Sequence, residues 1–184
     1  RTYPLGELTE DEKRFYTWTL QSHIDLARAV WLDYCECKMI DTIAREPLWR
    51  HLINYRCGTG HSVSFVGNVH EGPHALNSRN TTRMRPGMVV TDEPGVYETD
   101  LVGIRIENEL VCVHKADNQY GTFLGFEPLT FVPIATSPIL PGVLDKDELA
   151  WLNDYHRQVF AKLAPHLNDE ERSWLAEKCA AIGC

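Results

Sequence analysis

The stretch from Gly58 to Pro73 reads Gly-Thr-Gly-His-Ser-Val-Ser-Phe-Val-Gly-Asn-Val-His-Glu-Gly-Pro. Glycine costs backbone entropy unless the chain needs unusual torsions or close approach. His61 and His70 are the side chains best suited to metal ligation or proton transfer near neutral pH. Two acidic clusters follow, Asp92-Glu93-Pro94-Gly95 and Arg105-Ile106-Glu107-Asn108. Together the three segments read as one divided site. One imidazole and two carboxylates, from His61, Glu93 and Glu107, form an oxygen-weighted donor set. Such a set suits Mn²⁺, Co²⁺, Zn²⁺ or Fe²⁺ better than a thiolate-seeking ion. Glu107 lies in an apolar run, where a lone carboxylate is costly unless paired or coordinated. Pairing with Arg105 or another cation, or exposure to water, remains the alternative. His70 lies an odd number of residues after His61, so in a strand the two would face opposite ways. A bend, which Gly67 could supply, is needed to unite them; otherwise His70 is structural. His23, His51, His74, His114, His156 and His166 lack such surroundings and read as structural.

The elements that must position these groups form an α+β pattern. Thr9, followed by Glu10, Asp11 and Glu12, predicts a capped helix running to about Leu32. Its buried face would carry Phe15, Trp18, Ser22 and Leu26. A second helix is expected over 38–45, and Pro47 opens a third through Leu52. Val63, Phe65, Val66 and Val69 favour strand, and 71–85 reads as loop. Met88 to Thr91 is a short strand delivering Asp92 and Glu93, after which Pro94-Gly95 turns the chain back. Val102 to His114 reads as one strand, with Arg105, Glu107 and Glu109 on one face and Ile104, Ile106 and Asn108 on the other. Phe126 to Ile134, broken by Pro128 and Pro133, suits an edge strand. Helices follow from an Asp145 or Asp147 cap to Leu163 and from an Asn168 cap to Ala181, with Trp174, Leu175 and Cys179 buried.

The 184 residues suffice for a real core, and 43% hydrophobic content fits a globular chain. The formal net charge of −8 disfavours nonspecific nucleic-acid binding. No run reaches the roughly 18 apolar residues of a membrane helix, and no signal peptide or Arg-rich leader opens the chain. The six cysteines do not fit a zinc motif and read as reduced, with Cys184 exposed.

Four motifs occur in order: Gly58-Thr59-Gly60-His61, Asn68-Val69-His70-Glu71-Gly72-Pro73, Thr91-Asp92-Glu93-Pro94-Gly95 and Gly103-Ile104-Arg105-Ile106-Glu107-Asn108. They resemble the catalytic half of Xaa-Pro aminopeptidases (aminopeptidase P), in the "pita-bread" creatinase/methionine-aminopeptidase superfamily. Gly125-Phe126-Glu127-Pro128-Leu129-Thr130 and the helical tail resemble the C-terminal extension of that branch. The likeness runs from Arg1 to about Ala181. It implies a partial pita-bread fold over 1–134 and a helical extension over 135–184. It also implies release of the N-terminal residue from peptides with proline in second position.

The resemblance further implies two divalent metals, Mn²⁺ first among them with Zn²⁺ or Co²⁺ as options. His61, Glu93 and Glu107 match metal ligands, with Glu107 bridging and Glu93 also handling protons. His70 matches the histidine near the scissile carbonyl, and Arg105 would orient carboxylates. A homodimer is implied, with the Leu149–Leu163 helix as a candidate surface, and the reduced cysteines suit a cytoplasmic location. The family's two Asp ligands lie upstream, and Arg1-Thr2 looks like the end of the segment carrying the second. The expectation is therefore a fragment, inactive alone. Cys57 stands where many relatives have histidine, and Ser62 and Ser64 replace common glycines. A non-catalytic peptide-binding module and a prolidase cutting Xaa-Pro dipeptides are the alternatives.

Overall fold

The structure is a computed structural model describing residues 1–183; the expectation for Cys184 lies outside them. Thr9 caps α1 (Glu10–Ala27) through a reciprocal pair with Glu12. The helix stops short of Leu32, because Val30–Leu32 leaves it as strand β1 and pairs with Phe123–Gly125. Strand pairing of these bulky residues outweighs helix continuation. α2 spans Cys37–Trp49 as one helix, with Pro47 inside it. Pro47 falls in the last turn, so it removes one late hydrogen bond and does not start a new helix.

The main sheet is antiparallel, in the order β1, β8 (Gly121–Pro128), β7 (Asn108–Asn118), β4 (Val89–Asp92). β8 is interior over Phe123–Gly125, while Phe126–Pro128 pairs with β7 alone and lies at an edge, as expected, although the strand ends at Pro128 and not at Ile134. Only Phe123–Gly125 is covered by β1, which leaves Pro128 beyond the region where its missing N–H would matter. Two small pairs complete the strands: β2 (Gly60–His61) with β3 (Ala75–Leu76), and β5 (Gly95–Glu98) with β6 (Val102–Arg105).

β4 pairs with β7 from Val89↔Val111 to Asp92↔Asn108, and β5 pairs with β6 from Gly95↔Arg105 to Glu98↔Val102. The second register continues the first. Pro94-Gly95 therefore does not reverse the chain. One long hairpin runs through both pairs and turns beyond Glu98, where Asp100 takes a positive φ. It is interrupted where Pro94 cannot donate to a ladder. The predicted 102–114 strand is likewise split at Ile106-Glu107, but its alternation survives. Ile104, Ile106 and Asn108 are buried while Arg105, Glu107 and Glu109 are only half-buried.

The segment after His61 is loop, not strand. Phe65, Val66 and Val69 are exposed, and the Glu71 N–H donates to the Ser62 carbonyl, closing the loop on itself. α3 (Lys146–Leu163) and α4 (Asp169–Lys178) follow with the expected Asp145 and Asn168 caps. Leu175 is buried, Cys179 is half-buried, and Trp174 lies on the outer face, 57% exposed.

α1 straddles two cores. Leu26 and Ala27 join Trp31, Ile40, Leu110 and Phe126 beneath the sheet. Tyr16, Leu20 and Ile24 join Ile104, Ile106, Leu152, Tyr155 and Val159. Phe15 and Trp18, expected on the buried face, are only half-buried. The apolar side of α3 is spent on this second core. No described helix is long and apolar enough to cross a membrane.

Candidate metal centre

Successive strand residues face opposite sides, and directly opposed residues share a face. Since Asp92 opposes Asn108, the next residues inward, Glu93 and Glu107, are brought opposite each other in the hairpin's gap. Arg105 shares their side. The two carboxylates thus meet through register, although they lie far apart in sequence.

Glu93 is held on both oxygens. Oε1 accepts from Thr91 Oγ1 at 3.0 Å and lies 3.1 Å from His61 Nε2. Oε2 receives the Arg105 guanidinium. The Glu93 N–H donates to the Thr59 carbonyl at 2.8 Å, and the His61 N–H to Thr91 Oγ1 at 3.0 Å. Thr59 is itself anchored in a buried cluster with Asp41 and Tyr55. Arg45 completes that cluster, donating to Asp41 at 2.7 Å and to the Cys57 carbonyl at 2.9 Å.

Two glycines are explained by proximity. A Cβ on Gly60 would lie 1.7 Å from the Thr91 carbonyl oxygen. One on Gly95 would lie 2.5 Å from Arg105 Nε, in the path of the side chain that reaches Glu93. Arg105 Nε also donates to the Tyr97 hydroxyl at 3.0 Å, and its outer nitrogen lies 3.8 Å from Cys57 Sγ.

The closed loop returns His70 to His61, their ring centroids 3.9 Å apart. His70 is exposed, and the bend needed to unite the two is a whole loop and not a bulge at Gly67. His61 Nδ1 lies 3.0 Å from the Ser62 carbonyl. Donation there leaves the Nε2 lone pair facing Glu93 Oε1, itself an acceptor. Two acceptors aimed at each other call for a cation or a proton between them.

Glu107 makes no ion pair with Arg105, whose guanidinium goes to Glu93. Burial pushes the Glu107 carboxyl above its usual range, and the Glu93 charge pushes the same way; Arg105 and His61 oppose the shift. Like-charged carboxylates this close favour a bound cation. Among the described residues, no three His, Cys, Asp or Glu side chains already surround one point. His61 and Glu93 are brought together, and Glu107 stands near enough to sense both charges. The donor types fit a hard divalent ion, as part of a site and not a complete one.

Sequence reasoning missed Thr91 and Tyr97, which bind the two key side chains. Thr91 carried a signal, since it lies two residues before Glu93 and so on the same strand face. The histidines read as structural make local contacts, although the buried Nδ1 atoms of His23, His74 and His156 lack a regular hydrogen-bond partner. His51 stacks on Trp18, and His74 Nε2 meets the Val89 carbonyl at 2.8 Å. Cys35, Cys37, Cys57, Cys112 and Cys179 are free thiols.

The profile of metallopeptidase family M24 matches residues 1–114, and that of the C-terminal region of peptidase M24 matches 122–182. A protein of Laccaria bicolor described as a probable Xaa-Pro aminopeptidase P is 39% identical over 99% of this chain, which covers 30% of that protein. The crystal structure of X-prolyl aminopeptidase from Caenorhabditis elegans, described as a cytosolic enzyme with a di-nuclear active site, superposes with a TM-score of 0.89. It is 37% identical over 96% of this chain and 30% of that one. The prolidase of Pyrococcus furiosus gives a TM-score of 0.62 at 26% identity, over 73% of this chain and 36% of that one. This chain therefore spans about 30% of the length of its aminopeptidase relatives. The fold is α+β, a curled antiparallel half-barrel sheet flanked by helices. With most of its length matched by the family profile, and the His61, Glu93 and Glu107 segments inside that match, the chain belongs to metallopeptidase family M24.

Proposed function

We propose that this chain supplies the C-terminal part of the catalytic site of a Xaa-Pro aminopeptidase, which removes the residue preceding a penultimate proline. The observation that carries the reading is the convergence of His61 Nε2 on Glu93 Oε1 at 3.1 Å, with Glu107 opposite Glu93 in the hairpin register. His61, Glu93 and Glu107 would hold divalent ions, Mn²⁺ in preference. The chemistry such ions supply is activation of water at neutral pH and stabilisation of negative charge. Arg105 and Thr91 hold the Glu93 carboxylate still, and Glu93 would take up the proton of the attacking water. His70, exposed beside His61, donates a hydrogen bond toward the scissile carbonyl.

The C-terminal segment and the higher likeness to the aminopeptidase favour this reading over a prolidase. The description of the Caenorhabditis elegans enzyme as cytosolic supports a cytoplasmic location. A homodimer is part of the proposal, through a surface other than the covered face of α3. The division into a catalytic portion to residue 134 and a helical extension beyond it likewise stands as a proposal.

The test is Mn²⁺-stimulated release of arginine from Arg-Pro-Pro by the full-length protein that carries this chain. Release that depends on Mn²⁺ and is lost in Glu93→Gln is expected. Cleavage of Xaa-Pro dipeptides alone would favour the prolidase. No cleavage of either substrate would leave a peptide-binding role.

A further inference from the structure

His23, on α1, inserts its ring behind the candidate metal centre. It is fully buried, as are Asp92 and Asn108, which it touches. Its Nδ1 lies 3.0 Å from Asp92 Oδ2, off the axis of a regular hydrogen bond, and its Nε2 lies 3.3 Å from Asn108 Nδ2. Asp92 and Asn108 are the opposed pair that ends the β4–β7 ladder. Each adjoins one of the two site carboxylates, Glu93 and Glu107, whose side chains leave from the other face.

The orientation of this cluster is determined from outside. The Arg1 guanidinium donates to Asn108 Oδ1 at 2.6 Å, and the Tyr155 hydroxyl lies 3.2 Å from the same oxygen. The Asn108 amide nitrogen must then point at His23. It donates to Nε2, which leaves the ring proton on Nδ1, the nitrogen 3.0 Å from Asp92 Oδ2. One imidazole thus ties together the two strand ends at the gap where the ladder hydrogen bonds stop.

We propose that His23 is a positioning residue that sets the spacing of Glu93 and Glu107 across the hairpin gap. It makes no contact with either carboxylate and acts through Asp92 and Asn108. The ladder pairs on either side fix the register, but the gap itself, at Glu93-Pro94 opposite Ile106-Glu107, lies between the paired segments. A polar clamp on the buried face sets the local spacing there. Apolar packing alone would leave that spacing free to vary by fractions of an ångström. Metal ligation does not tolerate such shifts, and loss of a partner behind the ligands commonly costs 10–100-fold in affinity, to order of magnitude. The proposal rests on the metallopeptidase reading above.

The experiment compares wild type, His23→Ala and His23→Gln in the full-length protein. Mn²⁺ affinity is measured by titration calorimetry, and folding by circular dichroism. His23→Ala is expected to weaken Mn²⁺ binding about 10–100-fold while remaining folded. His23→Gln, whose amide can reach both partners, is expected to recover most of that loss. Wild-type affinity in folded His23→Ala overturns the proposal, as does an equal loss in both variants. If His23→Ala does not fold, Asp92→Leu replaces it, since it keeps the approximate shape and removes the acceptor facing the imidazole. Unchanged affinity in Asp92→Leu then overturns the proposal. Absence of Mn²⁺ binding in wild type overturns the metallopeptidase reading, and this proposal with it.

Discussion

His156 is fully buried. Its Nε2 accepts the Ile134 N–H at 3.1 Å, and its Nδ1 has no partner. Burial, with the Arg1 charge adding to it, lowers its pKa from 6.5 to about 4. Between those values the unfolded chain binds a proton that the folded chain refuses. Stability from neutral His156 is therefore full above pH 6.5 and is lost as pH falls toward 4. Asp92 works in the opposite sense. Burial raises it from 3.8 to about 6, against the pull of His23, so its contribution is present below 3.8 and lost as pH rises through 6. Because the windows overlap, net acid unfolding does not isolate either group. The difference between wild type and His156→Gln does. Urea unfolding at pH 7 and pH 4.5 should show wild type losing on the order of 2 kcal/mol more than the variant. Equal losses would show that His156 does not stay neutral when folded.

At the scale of elements, the site depends on how closely β2 can approach β4. The strand is only Gly60-His61, yet it carries one proposed ligand past the Thr91 carbonyl, next to another. No flexible neighbour can yield to a methyl group at Gly60, since the obstacle is backbone. Gly60→Ala should destabilise by roughly 3 kcal/mol in urea unfolding, at the upper end of overpacking costs. Gly58→Ala is the control, because its nearest atom would be the Leu76 carbonyl oxygen at 3.5 Å, an ordinary contact. A loss of less than ~1 kcal/mol is expected there. Similar losses in the two variants would mean that close approach is not what requires Gly60.

Across the whole molecule, the two cores meet on α1, and the candidate centre lies at the gap midway along the long hairpin. His61 and Glu93 converge fully, while Glu107 is near but not gathered around the same point. The chain alone should accordingly bind Mn²⁺ at one weak site at most. The full-length protein should bind two ions. Calorimetric titration of both decides the matter, and two tight sites on the isolated chain would contradict the incomplete donor set described above.

Much of this was open to reading in the linear order of residues. The Thr9, Asp145 and Asn168 caps are local chemistry, so the starts of α1, α3 and α4 follow from a few neighbouring side chains. The alternation around Glu107 is also local, and it separates buried from half-buried positions despite the break in the strand. The types and order of His61, His70, Glu93, Arg105 and Glu107 were enough to indicate metal chemistry and a family resemblance. What the tertiary structure decided is everything that depends on partners distant in sequence. Val30–Leu32 became strand because β8 was there to pair with it. The 62–71 loop closed because the His61 segment was held against β4. Arg105 went to Glu93 and not to Glu107, and His23 moved from an ordinary core histidine to a clamp between two strand ends. Local pattern fixes which conformations and faces a segment prefers. Only the assembled fold determines which polar groups share a buried space, and there an unpaired group costs enough to choose the partner.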